Sequence, residues 1–137
     1  DGTYQSGEPG IGNVSVELWY DADSSCTLSS GDFLVDTQFT SGTVLLGGNY
    51  KFERNDLPAG NYLVRVTDSN HVLTGYTQSI GSNQGADNNS QTQPYCIVGF
   101  AGSQANDSNL TADFGYWQPA ALGDFVWSDS NANGLQD

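Results

Sequence analysis

Apolar and polar residues alternate along this chain in short runs separated by clusters of turn-forming residues. Residues 13–20 show it most cleanly. Val14, Val16, Leu18 and Tyr20 fall on one side, while Ser15, Glu17 and Trp19 fall on the other. A period of two is that of a half-buried β-strand. The same reading gives strands over residues 33–40 and 50–54, with Tyr50 and Phe52 inward and Lys51 outward. Further on, Tyr62, Val64 and Val66 form an inner face, with Leu63, Arg65 and Thr67 on the outer one. Residues 95–100 and 110–116 complete the series, and the apolar patch 44–46, bounded by glycines, reads as a strand end at a turn. The sequence Leu57-Pro58-Ala59-Gly60 predicts a tight turn, because proline presets one backbone angle and glycine permits the other. Residues 76–90 are rich in Gln, Asn, Ser and Gly and predict a long surface loop. No amphipathic helix competes with these strands. The expected fold is all-β, a Greek-key-like β-sandwich of about seven strands.

Two stretches depart from the strand pattern and carry candidate chemistry. The first follows the strand that ends near Tyr20 and reads DADSSCTLSSGD. A calcium loop draws ligands from its positions one, three and five, a carbonyl from seven, often a group at nine, and a carboxylate at twelve. Those positions hold Asp21, Asp23, Ser25, Thr27, Ser29 and Asp32. Oxygen at every one of them suits a hard cation such as Ca2+. Cys26 stands where the turn glycine is usual, and Asp32 is one methylene shorter than the usual glutamate. The second stretch is the tail, LGDFVWSDSNANGLQD. Residues 122–127 predict a strand. Beyond it Asp129, Asn131, Asn133, Leu135 and Asp137 occupy positions one, three, five, seven and nine of a second calcium loop, with Gly134 at the sixth.

The tail resembles the opening strand and calcium loop of the SdrD B-type repeat, a relative of the Cna B-type domains of bacterial surface proteins. GEPGIGNVSVELWYDAD over residues 7–23, NYKFERNDLPAGNYLVRVTD over 49–68 and ADFGYW over 112–117 resemble the same family in the same order. The segment that opens the family's repeat stands here at the carboxyl end. The resemblance implies an extracellular β-sandwich, strung in tandem in a surface stalk or adhesin. It divides the chain into a module over residues 1–119 that lacks its own first strand, and residues 120–137, the first strand and calcium loop of the following copy or a permuted strand. The proline-containing hinge before the tail favours reaching outward to another copy. Partners are then other copies, joined head to tail by strand complementation or in a tandem chain.

Composition narrows the function further. Sixteen acidic residues face three basic ones, for a formal net charge of −13. Such a surface does not bind nucleic acid. It repels itself unless the acids are solvated or cations gather them. No apolar run is long enough to insert in a membrane, and the lack of Met and of a signal segment suggests a processed or excised piece. Cys26 and Cys96 have no CxxC partner and no histidine cluster, which argues against zinc. In an exported protein their even count favours a disulfide, the alternative being two buried thiols. Sequons begin at Asn13, Asn88, Asn106 and Asn109. Some Cna B-type domains form a lysine–asparagine isopeptide, which needs a buried lysine; Lys51 is expected to be exposed. His71 has no partner for nucleophilic or metal chemistry, so an enzyme is not expected. The leading expectation is a calcium-stabilised extracellular structural module. The alternative is a glycan- or protein-binding module that uses Trp19, Trp117 and Trp127.

Overall fold

The computed structural model describes residues 1–42, 47–120 and, in the tail, 122, 126, 128 and 132. Among these are six strands: β1 (Ser15–Asp21), β2 (Phe33–Phe39), β3 (Gly60–Val66), β4 (Thr77–Ser79), β5 (Tyr95–Phe100) and β6 (Gly115–Trp117). They form two antiparallel sheets, one of four strands in the order β2-β1-β3-β5 and one of two, β4-β6. The fold is the all-β sandwich that the alternation implies.

The inner face of the large sheet follows from the period of two. Val16, Leu18, Tyr62 and Val64 are buried together, and Tyr20, Tyr50, Phe52, Val66, Ile97 and Phe114 pack against them. The register explains the grouping: Leu18 lies opposite Val64 and Tyr20 opposite Tyr62. Directly opposed residues of an antiparallel pair share a face, which places these four in one layer. Tyr62 meets Tyr20 and Phe100 edge to face, with centroids 5.3 and 5.6 Å apart.

Three features differ from the sequence reading. Residues 50–54 form no strand. Tyr50 and Phe52 still point inward, and the Tyr50 hydroxyl donates to the Ala112 carbonyl, which ties this irregular segment to the approach of β6. Packing two aromatic anchors does not require a ladder. Residues 77–79, placed in a surface loop by composition, are strand β4. Beyond β4, residues 82–85, 87 and 88 are exposed as the composition implies, but the segment ends in three buried polar residues, Asn89, Ser90 and Gln91. Gln91 is 0% exposed. It donates to the carbonyls of Ala86 and Asn89 and accepts from the Gly85 N–H, at 2.9, 2.7 and 2.8 Å. An amide has two donors and an acceptor oxygen, so a glutamine satisfied in this way can be buried at little cost.

The third difference is Leu63. Alternation puts it on the outer face, and the register does too, since it lies opposite Trp19 and Cys96. Yet it is fully buried. The outer face therefore has cover of its own. Arg65 sits 5.3 Å over the Trp19 ring and pairs with Glu17 at 2.9 Å. Cys96, beside Leu63, is bonded to Cys26 of the β1–β2 loop, which brings that loop to this face. The cysteines are thus paired as the disulfide reading required.

Candidate metal centre

The β1–β2 hairpin builds the site. Tyr20 pairs with Phe33, so the two ends of the intervening loop are neighbours. Position one of the loop, Asp21, and position twelve, Asp32, are brought together by strand pairing alone. Asp23 joins them through a tight bend in which Ser24 and Cys26 adopt left-handed backbone angles, φ +55° and +57°. The left-handed region normally favours glycine. Cys26 takes the conformation of the turn glycine it replaces.

Carboxylate oxygens of Asp21, Asp23 and Asp32 lie within 4.8 Å of one another. Each carboxylate is also positioned by the loop's own donors. Asp21, only 2% exposed, accepts the backbone N–H groups of Ser25 and Cys26 at 3.1 and 3.0 Å. Asp32 accepts those of Ala22 and Ser29 at 3.0 and 2.6 Å. Asp23 accepts the Ser25 N–H at 3.1 Å and the Ser29 hydroxyl at 3.2 Å. The Ser25 hydroxyl lies 3.0 Å from both the carbonyl and the hydroxyl oxygen of Thr27. Asp21, Asp23, Ser25, Thr27 and Asp32 therefore converge on one bend. A carboxylate oxygen that accepts one hydrogen bond still offers a lone pair.

The electrostatics of this cluster suit a cation. The Ser25 hydroxyl and N–H hold the Asp23 carboxyl below its ordinary range, so it stays ionised near neutral pH. The three basic side chains are used elsewhere: Lys51 with Glu53, Arg54 with Asp56 and Arg65 with Glu17. Three like charges this close are unfavourable unless a counter-ion shares them. Oxygen-only donors suit a hard divalent ion. Cys26 and Cys96 also lie near Asp21, but their sulfurs are spent on the disulfide and are not thiolate ligands.

The tail residues Asp129, Asn131, Asn133, Leu135 and Asp137 lie outside the described residues. Ala132 is described, and its φ of +58° matches that of Ser24, which holds the same fourth position of its loop. Asp113 sits apart from this cluster, with Asn88 and Asp87 at the small sheet. Its carboxylate accepts the Asn88 N–H at 2.8 Å. Burial raises the Asp113 pKa, and the nearby Asp87 adds to the shift. A carboxyl with a raised pKa in the folded state favours folding below its unfolded pKa, and that contribution is lost as pH rises through the folded one. Asp113→Asn removes the penalty and keeps the accepting oxygen. We expect thermal melts to show a more stable variant at pH 7, and the difference to vanish below about pH 3. An unchanged difference across that range would contradict the burial argument.

Lys51 is exposed and paired with Glu53 at 3.1 Å, outside the core that an isopeptide lysine occupies. Trp19 is half-buried on the outer face of the large sheet, and its ring N–H donates to Glu17 at 2.8 Å. Trp117 ends β6 and is 52% exposed. These two tryptophans stand on different sheets.

Comparison with known proteins places this geometry in a family. The whole chain aligns with a segment of the serine-aspartate repeat-containing protein D of Staphylococcus aureus, strain Newman, at 30% identity over 143 residues. It aligns equally completely with the serine-aspartate repeat-containing protein F of Staphylococcus epidermidis, strain ATCC 12228, at 31% identity over 141 residues. The chain is a relative of the Sdr repeat proteins. It spans 9% of the length of the first and 7% of the second. The resemblance to the SdrD B-type repeat thus extends from one end of the chain to the other. No family model matches the chain, and no solved structure matches it.

Proposed function

We propose that the chain is a calcium-stabilised structural module of an extracellular stalk, adhesin or filament, arranged head to tail with other copies of itself. One observation carries the calcium reading: strand pairing and a glycine-like bend gather Asp21, Asp23 and Asp32 into one oxygen-rich site. Calcium has a mechanical role in this reading. It joins the two ends of a loop that like charges would otherwise push apart, and so stiffens one end of the sandwich. The repeat context of the relatives supports a tandem arrangement, and the disulfide suits an oxidising, extracellular compartment. A net charge of −13 is better tolerated where calcium is plentiful. In the metal centre each acid is bonded to loop N–H or hydroxyl groups, the disposition of a structural site rather than of a reacting group.

Calorimetric titration and thermal melting test the calcium reading. Calcium at a hundred times its dissociation constant stabilises the fold by about 2.7 kcal/mol, and a chelator reverses the gain. No heat of binding and no change in melting on chelation would remove the metal from the proposal. A glycan-binding module is the weaker reading, because Trp19 is engaged by Arg65 and Glu17 and forms no common platform with Trp117.

A further inference from the structure

We propose that the cleft between the two sheets seats a β-strand of sequence 122–127 supplied by a second copy of this chain. The inference rests on the head-to-tail assembly proposed above and names its acceptor. The cleft has a volume of about 590 Å3. One side carries Val66 of the large sheet with Tyr50, and the other Tyr116 of the small one with the preceding Phe114, all four half-buried. Among the described residues β6 is paired on one side only, by β4. A strand paired on one side is a template for one more.

The rim of the cleft includes residues 1–4, and it is anchored. The Ser90 N–H donates to the Gly2 carbonyl at 2.7 Å and the Tyr4 N–H to the Asn88 carbonyl at 2.8 Å.

The occupant is chosen by its pattern. Residues 122–127 carry apolar side chains on both alternating faces, Leu122 and Val126 on one, Phe125 and Trp127 on the other. A strand of that kind needs cover on both sides, which a gap between two sheets provides. In their own copy Leu122 and Val126 are almost wholly exposed, at 102% and 95%. Their apolar surface finds no cover on the module that carries it, so the partner is another copy. Donor strand and acceptor cleft are different surfaces. The contact is heterologous and adds copies in a line rather than closing at a dimer.

Sedimentation velocity of the full chain over a concentration series, in saturating calcium, tests this. The expected result is a mass that rises continuously with concentration. Hydrogen exchange should slow at residues 114–117 as it rises. Val126→Asp, a change at an exposed position, should leave the melting of the single copy unchanged and weaken assembly about a hundredfold. An excess of synthetic peptide covering residues 120–128 should shorten the assemblies. Monomers at every concentration overturn both this inference and the head-to-tail reading. Assembly that survives Val126→Asp, or that protects the β2 edge instead of β6, overturns the cleft alone.

Discussion

Breaking the Cys26–Cys96 bridge is expected to cost about 4 kcal/mol, because it closes a loop of 70 residues in the unfolded chain. For a domain of this size that is a fall of roughly 15 °C in melting temperature. The bridge also does something local. It holds Cys26, whose backbone N–H donates to Asp21 and whose left-handed backbone sets the bend of the acidic loop. Calcium affinity should therefore fall together with stability. A positioning contact of this kind is worth on the order of tenfold in metal affinity. Two double variants separate the contributions. Cys26→Ala with Cys96→Ala loses the bridge and keeps a side chain in the left-handed bend. Cys26→Gly with Cys96→Ala loses the bridge and relieves the bend, and should be more stable than the alanine pair by about 1 kcal/mol, since glycine adopts the left-handed region freely. Denaturant unfolding with and without calcium reads all three quantities. Equal stability of the two double variants would show that the bend carries no strain. Unchanged calcium affinity in both would show that the bridge and the site are independent.

The same residue shows why part of the site was legible in the sequence. The grouping of Asp21, Asp23 and Asp32 was legible because their spacing is local, and the strands at either side fix the loop ends by pairing. Cys26 broke the glycine pattern at the sixth position, yet the backbone there has the predicted shape. The covalent partner was legible too, because Cys26 and Cys96 are the two cysteines of the chain and they form the disulfide. Strands β1, β2, β3 and β5 were equally legible, because alternation reports burial on one side. β4 was not. It has three residues, Thr77–Ser79, with no apolar alternation, and it is held by β6 and by Gln78 and Gln93 side-chain bonds. Polar packing of this sort leaves no hydrophobic period to read. Gln91 makes the same point: a polar side chain carries no hydrophobic signal, while its complete set of hydrogen bonds lets it be buried.

Leu63→Ala is expected to destabilise the module by about 3 kcal/mol, or roughly 10 °C, as much as a deletion inside the main core. By alternation alone the position is solvent-facing, and the expected cost there is only a few tenths of a kcal/mol. The difference arises because the acidic loop, pinned by the disulfide, and the Trp19–Arg65 pair give the outer face its own apolar layer. Leu63 is 0% exposed, so truncating it leaves a cavity whose walls are a strand, a ring and a covalent bridge. Those walls collapse poorly, which places the cost in the middle of the range for buried leucines. The variant also tests how the layers are coupled. If the loop covers Leu63, the loss from Leu63→Ala should shrink when the bridge is already absent, because neighbouring sites are not additive. Denaturant unfolding of the single, double and triple variants measures that interaction. A loss below about 1 kcal/mol for Leu63→Ala, or strict additivity with the cysteine changes, would mean that the loop does not lie over this face.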